Sequence, residues 1–233
     1  MKQKNLAIIP ARGGSKRIPK KNIKKFFGKP IIEYSIEAAL KSGKFSEVMV
    51  STDDPKIARI AKKAGASVPF LRSTSTAQDK TPISHAVVEV LNEYAKQGKE
   101  FDNFCCLFAT APLVSVEDIK KAMQILSKEK KTSSVFTVVK YDYPIQRSFK
   151  IKNGWLKMLW RRHISTRSQD LEPIYHDAGQ FYCLKTKRFL KEKQFFSKKS
   201  QALVLPETRV QDIDTLEDWE IAEIKFKMLK KKK

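Results

Sequence analysis

Residues 6–29 read LAIIPARGGSKRIPKKNIKKFFGK, and this segment decides how the rest of the chain is interpreted. Its first four residues, Leu6 to Ile9, form an apolar run that is short enough for a buried strand. Pro10 has no amide hydrogen to donate, so we expect the strand to end there. The strand then leads directly into a turn that is rich in glycine and in positive charge.

This turn has the composition of an anion-binding loop. Gly13 and Gly14 allow the backbone to turn sharply and to approach a ligand closely, and successive amide groups in such a turn can form a nest for an anion. The surrounding cations are Arg12, Lys16, Arg17, Lys20 and Lys21. Together these features predict a triphosphate cradle, although neither a Walker loop nor G-x-G-x-x-G is present. A surface turn in a basic protein is the alternative.

Composition limits the classes of protein that need to be considered. A chain of 233 residues, 41% of them hydrophobic, can build one sizeable core with a small appendage. No apolar run reaches the ~18 residues of a membrane-spanning helix, and no signal peptide precedes the first strand, so we expect a cytoplasmic protein without membrane insertion. The three cysteines, Cys105, Cys106 and Cys183, lack CxxC spacing and are expected to be buried, reduced thiols.

The net charge of +22 suggests nucleic acid or an anionic membrane surface as a partner. However, the lysines are spread along the chain, and no helix-turn-helix, zinc-finger or RNP motif is present. We therefore expect solvated lysine faces that attract phosphorylated substrates, and no nucleic-acid partner. The terminal run Lys230 to Lys233 is interpreted as the frayed end of a helix.

Strand-like and helix-like segments alternate through most of the chain, which predicts a three-layer α/β fold with a mostly parallel sheet. Helical spacing of apolar residues predicts helices over 30–40, 55–64, 83–94 and 118–126, and strands are predicted over 47–52, 67–71, 101–108 and 133–139. Asp53 and Asp54 precede the second helix, where capping explains them better than a metal pair does. Residues 72–82 lack periodicity and are interpreted as a lid or base-recognition loop.

Two later segments also carry functional hypotheses. Residues 140–167 interleave aromatic and basic side chains, which fits either a nucleic-acid platform or a subunit interface. Asp212 and Asp214 lie two apart on an extended stretch, so both point the same way and suit Mg²⁺ bound with a triphosphate. Thr215 and Asp218 are typical of the start of a last helix, and a capping or turn role is the alternative for Asp214.

The stretch IIPARGGSKRIPKKNIKKFFGKPIIEYSIEAAL closely resembles the opening of the acylneuraminate cytidylyltransferases, which make CMP-activated nonulosonic acids from CTP. The resemblance extends over nearly the whole chain. It implies a Rossmann-like nucleotidyltransferase core at 1–139 and 176–233, with an inserted dimerisation arm at 140–175 that reaches the partner's active site in a homodimer.

The resemblance also implies roles for individual residues. The nucleotide-binding residues would be Ala11, Arg12, Gly13, Gly14, Ser15, Lys16, Lys21, Asn22, Arg72, Ala77, Asp79 and Thr81. The catalytic residues would be Arg12, Lys21, Asp212 and Asp214, and the last two would bind Mg²⁺. The general base stays open between a hydroxide on the metal and one of these carboxylates.

The acceptor sugar is expected to lie against Ala109 and Thr110, because ligands of α/β sheets bind beyond the carboxyl ends of strands. Where neuraminic acid enzymes carry LQPTSPLR this chain has LFATAPLV, so the glutamine and the arginine of that stretch are both replaced by apolar residues, the arginine by Val114. This segment and HDAGQFY, with Gln180, Phe181 and Tyr182 as further sugar-binding residues, resemble the pseudaminic acid branch of the family. Neuraminic or legionaminic acid as the acceptor, and a basic RNA- or membrane-binding protein, are the alternatives.

Overall fold

A computed structural model describes residues 3–231 and contains ten strands and six α-helices within that range. The strands are β1 Asn5–Pro10, β2 Lys25–Phe26, β3 Lys29–Pro30, β4 Glu47–Ser51, β5 Asn103–Leu107, β6 Ser134–Lys140, β7 Phe149–Lys152, β8 Trp155–Met158, β9 Tyr175–Lys185 and β10 Ser200–Leu205. The helices are α1 Ile31–Ser42, α2 Pro55–Lys63, α3 Ile83–Lys96, α4 Val116–Lys128, α5 Thr186–Glu192 and α6 Leu216–Lys231.

The central sheet has six strands in the order β10-β6-β9-β5-β1-β4. β1 pairs in parallel with β4 and β5, and β10 pairs in parallel with β6, whereas β9 is antiparallel to both of its neighbours. The predicted mostly parallel sheet is therefore confirmed, with β9 as its one reversed strand.

The prediction of a third strand at 67–71 was wrong. Ser67 makes a single parallel bridge to Met49, with Ser67 N donating to Val48 O at 2.8 Å. Pro69 follows two residues later and has no amide hydrogen with which to continue the pairing. The segment is therefore a short link toward the loop at 72–82.

Helices cover both faces of the sheet, which confirms the three-layer arrangement. Alternate residues of β1 supply the two cores: Ala7 and Ile9 pack with α1, α2 and α4, whereas Leu6 and Ile8 pack with α3 and α5. All three cysteines are free and buried, as predicted.

The helix ends follow the expected local chemistry. Gly43, with φ of 61°, ends α1, and the Asp54 carboxylate accepts from the Lys56 and Ile57 amides at the start of α2. At α6 the Asp218 amide donates to Thr215 Oγ1 at 3.2 Å, and the Thr215 amide donates to Asp218 Oδ2 at 2.8 Å. This helix extends to Lys231, and the Lys232 and Lys233 of the predicted frayed end lie outside the described residues.

Between β6 and β9 the chain leaves the central sheet. β7 and β8 form a separate antiparallel hairpin with Phe149 opposite Met158, and several of the apolar side chains in this segment are exposed. Tyr143 is 87% exposed and Trp155 is 80% exposed. Within residues 3–231, no helix has both the length and the apolar character needed to cross a bilayer.

Candidate active site

The glycine turn, here called the cationic turn (residues 11–22), is fixed to the carboxyl ends of β1 and β4. Ala11 N donates to Ser51 O at 2.9 Å, and Gly13 N donates to the Asp53 carboxylate at 2.9 Å. The Asn22 side-chain amide donates to Arg12 O at 2.9 Å. Asp54 is the helix cap and Asp53 instead anchors the turn, so the capping interpretation holds for one member of the pair.

The two glycines of the turn have different environments. A Cβ atom on Gly13 would lie 3.0 Å from both Cβ and Oδ2 of Asp54, so Gly13 is required by the close approach of the α2 cap. A Cβ on Gly14 would meet nothing within 4 Å. Gly14 is therefore the glycine whose backbone is left accessible to a ligand.

A cavity of about 280 Å³ opens beyond the carboxyl ends of β1, β4 and β5. It brings together predicted residues from three separate segments: Arg12, Ser15, Lys21, Asn22, Arg72, Asp79, Thr81, Ala109 and Thr110. Its location matches the rule that ligands of α/β sheets bind at strand carboxyl ends.

Sequence reasoning missed other residues of this cavity. The additional lining residues are Pro10, Thr76, Gln78, Ile83, Ala86 and Phe108. Phe108 directly follows β5, so the strand-end rule that selected Ala109 could have found it. Ile83 and Ala86 lie in the first turn of α3 and carried no signal beyond their helical spacing.

Arg72 supplies a buried positive charge to the cavity wall. Its Nε donates to Ser51 Oγ at 3.0 Å and its terminal nitrogen to Ser51 O at 2.7 Å, while its amide donates to Thr52 O at 2.8 Å. Burial lowers the pKa of Arg72, and the nearby carboxylates of Asp53 and Glu89 oppose that shift. The side chain is thus held at the end of β4 by the strand itself.

Asp79, from the loop at 72–82, is paired with two cations of the turn. Its carboxylate contacts Arg12, and Lys16 Nζ lies 3.3 Å from its other oxygen. These hydrogen bonds from Arg12 and Lys16 lower the pKa of Asp79. Because Arg12 and Lys16 are predicted phosphate ligands, Asp79 and a bound triphosphate would compete for them. Ala77 lies in the same loop, its amide donating to Ser73 O at 3.1 Å.

The two aspartates of the C-terminal segment, here called the acidic pair (Asp212 and Asp214), lie next to the cationic turn. Lys21 Nζ donates to Ile213 O at 2.5 Å and lies 3.4 Å from Asp214 Oδ1. Arg17 contacts both oxygens of Asp214 at 2.8 Å. Lys21 also lines the cavity, so one side chain connects the predicted phosphate site with the predicted metal site.

Asp212 is the member of the acidic pair whose negative charge is disfavoured by its surroundings. Burial raises the pKa of Asp212. The neighbouring carboxylate of Asp214 raises that pKa further, whereas Lys21 opposes the shift. A carboxylate whose charge is disfavoured in this way gains from a bound cation, so the residues fit Mg²⁺. Residues 3–231 contain no group of three His, Cys, Asp or Glu side chains arranged for a metal, but Mg²⁺ bound with a triphosphate needs only one or two carboxylates.

The three sugar-binding candidates on β9 are buried in this structure. Phe181 is fully buried in the core and does not line the cavity. The Tyr182 hydroxyl donates to Asp177. Burial is the main cause that raises the pKa of Tyr182, and this hydrogen bond is the second. Gln180 donates to Arg209 O, whereas its amide oxygen has no partner among the described residues.

The comparisons with known proteins agree with this geometry. Residues 6–225 match the family model described as Cytidylyltransferase. The chain belongs to the cytidylyltransferase family. A pseudaminic acid cytidylyltransferase of Campylobacter jejuni is 44% identical over 226 residues, which are 97% of each chain. A CMP-N,N'-diacetyllegionaminic acid synthase of Legionella pneumophila is 36% identical, with 94% of each chain covered.

Solved structures of cytidylyltransferases share the fold. A CMP:2-keto-3-deoxy-manno-octonic acid synthetase complexed with CTP has a TM-score of 0.71 at 17% identity, covering 98% of this chain and 99% of the other. A 4-diphosphocytidyl-2C-methyl-D-erythritol synthase of Anaerococcus prevotii has a TM-score of 0.67 at 16% identity, covering 97% and 99%. The α/β architecture expected from the sequence is therefore that of cytidylyltransferases.

Proposed function

We propose that this cytidylyltransferase transfers CMP from CTP to the anomeric hydroxyl of a nonulosonic acid, in the first place pseudaminic acid, with release of pyrophosphate. The observation that carries the proposal is the contact of Lys21 with both the cavity and Asp214. This contact supports the proposal because the cationic turn, which suits a triphosphate, lies beside the acidic pair, which suits its metal. The pseudaminic acid cytidylyltransferase with 44% identity supports the choice of sugar.

The residues of the cavity supply positioning and charge, which are what phosphoryl chemistry mainly requires of a protein. Arg12, Lys16 and Lys21 offset the charge of the phosphates and of the leaving pyrophosphate. Backbone amides of the cationic turn donate hydrogen bonds to phosphate oxygens. Gly14 has the open space for this contact, since a Cβ atom there would meet nothing within 4 Å. Asp79 must release Arg12 and Lys16 for this.

Asp212 and Asp214 would hold Mg²⁺ beside the α-phosphate. When bound, the metal neutralises phosphate charge and acidifies the attacking hydroxyl. Arg17 and Lys21 keep the Asp214 carboxylate oriented toward the turn. The proton of the sugar hydroxyl would pass either to a hydroxide on the metal or to one of these carboxylates.

The acceptor would bind beyond β5, against Ala109 and Thr110. The unpaired amide oxygen of Gln180 supports a role in accepting a hydrogen bond from the sugar once the side chain turns toward it. Tyr182, whose hydroxyl donates to Asp177, would shape the part of β9 that borders the sugar. Because a legionaminic acid synthase is also similar to the chain, that sugar is the second candidate.

The segment at 140–175, here called the arm, would join two copies of the chain into a homodimer. Its exposed Tyr143 and Trp155 are the kind of side chain that subunit interfaces bury. The reaction would take place in the cytoplasm, where CTP is available.

The experiment is pyrophosphate release from CTP and Mg²⁺ with pseudaminic, legionaminic and N-acetylneuraminic acid in parallel, each compared with a reaction lacking sugar. We expect the highest kcat/KM with pseudaminic acid. Faster turnover of legionaminic acid would replace the sugar assignment while keeping CMP transfer. No release with any of the three would refute transfer to a nonulosonic acid.

A further inference from the structure

The loop at residues 72–82 forms one wall of the nucleotide cavity but belongs to no strand or helix. Arg72, the first residue of the loop, is bonded through its side chain to Ser51 at the end of β4. At the other end of the loop, α3 begins at Ile83. Between these ends, the backbone bonds within the loop are local, such as Thr76 N and Ala77 N donating to Ser73 O. An irregular segment of this kind needs an external contact to hold one conformation.

Asp79 supplies one such contact near the end of the loop, through Arg12 and Lys16, and Glu89, on α3, supplies another near its start. The Ser73 amide donates to Glu89 Oε1 at 2.7 Å, and Ser73 Oγ donates to Oε2 at 3.0 Å. The Thr76 hydroxyl donates to the same Oε2. One carboxylate thus receives a backbone amide and two hydroxyls from a four-residue stretch, and hydrogen bonds to a charged acceptor are stronger than neutral ones.

Thr76 connects this contact to the nucleotide site. It lines the cavity together with Arg72 and Asp79, whereas Glu89 is not among the residues that line it. Glu89 lies instead along a groove on the outer side of the loop, which Thr76 also borders. The Glu89 carboxylate therefore contacts the loop on the side away from the cavity, and it affects the cavity wall through Ser73 and Thr76.

We propose that Glu89 is a positioning residue for the nucleotide: it holds the loop at 72–82 in the conformation that receives the cytosine and ribose of CTP. The inference rests on the proposed function, because it takes CTP to be the ligand of the cavity. Without the carboxylate, the loop loses its contacts to α3 and samples other conformations. CTP binding must then order the loop, and the cost appears as weaker affinity.

The chain offers a matched control on the same helix. Glu93 lies one turn beyond Glu89 and borders the same outer groove, but its carboxylate pairs with Lys96 at 2.7 Å. Replacing Glu93 removes the same charge from the same groove and leaves Ser73 and Thr76 in place. A difference between the two variants thus reports the loop contact rather than the general electrostatic field.

The first measurement compares Glu89→Ala, Glu89→Gln and Glu93→Ala with the wild type by calorimetric titration of CTP and by steady-state kinetics. We expect Glu89→Ala to raise both Kd and KM for CTP about tenfold, corresponding to ~1.4 kcal/mol. Its kcat and its KM for the sugar should change less than about threefold. Glu89→Gln keeps an acceptor oxygen for Ser73 and should recover part of the affinity, and Glu93→Ala should match the wild type.

The second measurement needs no nucleotide. Lys80 offers a tryptic site within the loop, so the rate of cleavage there, followed by mass spectrometry, should rise in Glu89→Ala and not in Glu93→Ala. Unchanged cleavage and unchanged CTP affinity in Glu89→Ala, or equal losses in both Ala variants, would overturn the proposal. If Glu89→Ala is cleaved faster but the wild type binds no CTP, the contact between Glu89 and the loop is supported. Both the nucleotide role of Glu89 and the proposed function are then rejected.

Discussion

At the scale of single residues, Lys21 is the side chain that connects the cavity with the acidic pair. It lies 192 residues before Ile213, whose carbonyl oxygen accepts its hydrogen bond, and its side chain is 18% exposed. It also faces Asp214 and the cavity. Its ammonium group therefore serves two purposes: it offsets phosphate charge, and it keeps the acidic pair next to the cationic turn.

Lys21→Ala should weaken the use of CTP sharply. Losing one charge-assisted contact costs about 1.5–3 kcal/mol, which is a rise in the KM for CTP of roughly 10- to 150-fold. The measurement is the KM for CTP at saturating sugar, with Lys25→Ala, an exposed lysine of β2, as the control. Unchanged CTP kinetics in Lys21→Ala would remove this residue from the phosphate site.

Asp214→Asn should lose most turnover while the protein stays folded. The amide keeps the size of the side chain but loses the charge that pairs with Arg17 and would bind Mg²⁺. We expect kcat to fall on the order of 10²-fold, as is typical when one charge-stabilising group is removed. Glu217→Gln removes a negative charge from the adjacent first turn of α6 and should stay active. A near-normal kcat in Asp214→Asn, with an unchanged circular dichroism spectrum in both variants, would exclude the metal role.

The sequence predicted most of the residues that meet in the cavity by three routes: charge along the turn indicated Arg12 and Lys21, the strand-end rule indicated Ala109 and Thr110, and the family resemblance implied the others. It could not assign Asp53 and Asp54 separate roles, since both suit a helix start and only the position of Gly13 N distinguishes them. It also could not show that Gln180, Phe181 and Tyr182 are all buried, with Phe181 in one core and Tyr182 in the other. That depends on the irregular pairing of β9 with β6, which is not a local property.

At the scale of elements, Glu47 ties the start of β4 to α3 and to the bridge at Ser67. Its carboxylate accepts from Tyr94 Oη at 2.5 Å and from Ser67 Oγ at 2.7 Å, with Lys99 at 3.5 Å. Burial alone would raise the pKa of Glu47, but these hydrogen bonds and Lys99 outweigh it, so the pKa is lowered. Since α3 carries Glu89, this contact also supports the wall of the nucleotide cavity.

Glu47→Gln should therefore destabilise the protein in a pH-dependent way. A lowered pKa in the folded state contributes stability above the usual glutamate pKa of 4.5 and loses it as the pH falls through the folded value. At pH 7 we expect a loss of about 1 kcal/mol, or a Tm lower by about 2–4 °C. The difference from wild type should shrink toward pH 4, and Glu100→Gln, on an exposed residue, should show neither effect. A Tm difference that is constant with pH would contradict the assignment.

Element types were predictable where apolar periodicity and helix-end signals agree, as at α1 and α2, and the start of α6 was predictable from its capping residues alone. The error at 67–71 has a physical cause, because a short apolar run with a central proline satisfies the composition of a strand without being able to extend a ladder. The reversed direction of β9 was equally invisible, since strand direction depends on which neighbours it pairs with. Local sequence contains no information on that choice.

At the scale of the whole molecule, the arm is the part that a single chain does not explain. Outside the arm the exposed apolar side chains are scattered, whereas the arm exposes Phe149, Ile151, Trp155 and Leu156 together on its hairpin. Exposed apolar side chains gathered on one extension are typical of an interaction surface. A sequence with no partner present cannot show what covers such a surface, so the homodimer stays a prediction.

Trp155→Asp tests that prediction directly. Trp155 is 80% exposed, so a charge there should leave the folded chain intact but oppose burial against a second copy. By analytical ultracentrifugation we expect twice the chain mass of 26.8 kDa for the wild type and a shift toward the single-chain mass for the variant. Ile224→Asp, at a 57% exposed apolar residue of α6, is the matched control and should remain dimeric.

Kinetics distinguish an arm that only joins two chains from one that also reaches the partner's site. If the arm completes the sugar site, Trp155→Asp should lose turnover and raise the KM for the sugar, while CTP still binds with wild-type Kd, because the nucleotide cavity lies within one chain. Full activity of a monomeric Trp155→Asp variant would show that the arm only joins two chains and does not complete the sugar site. A wild type that sediments as a monomer at the concentrations of the assay would remove the dimer altogether, and the exposed hairpin would then need another partner.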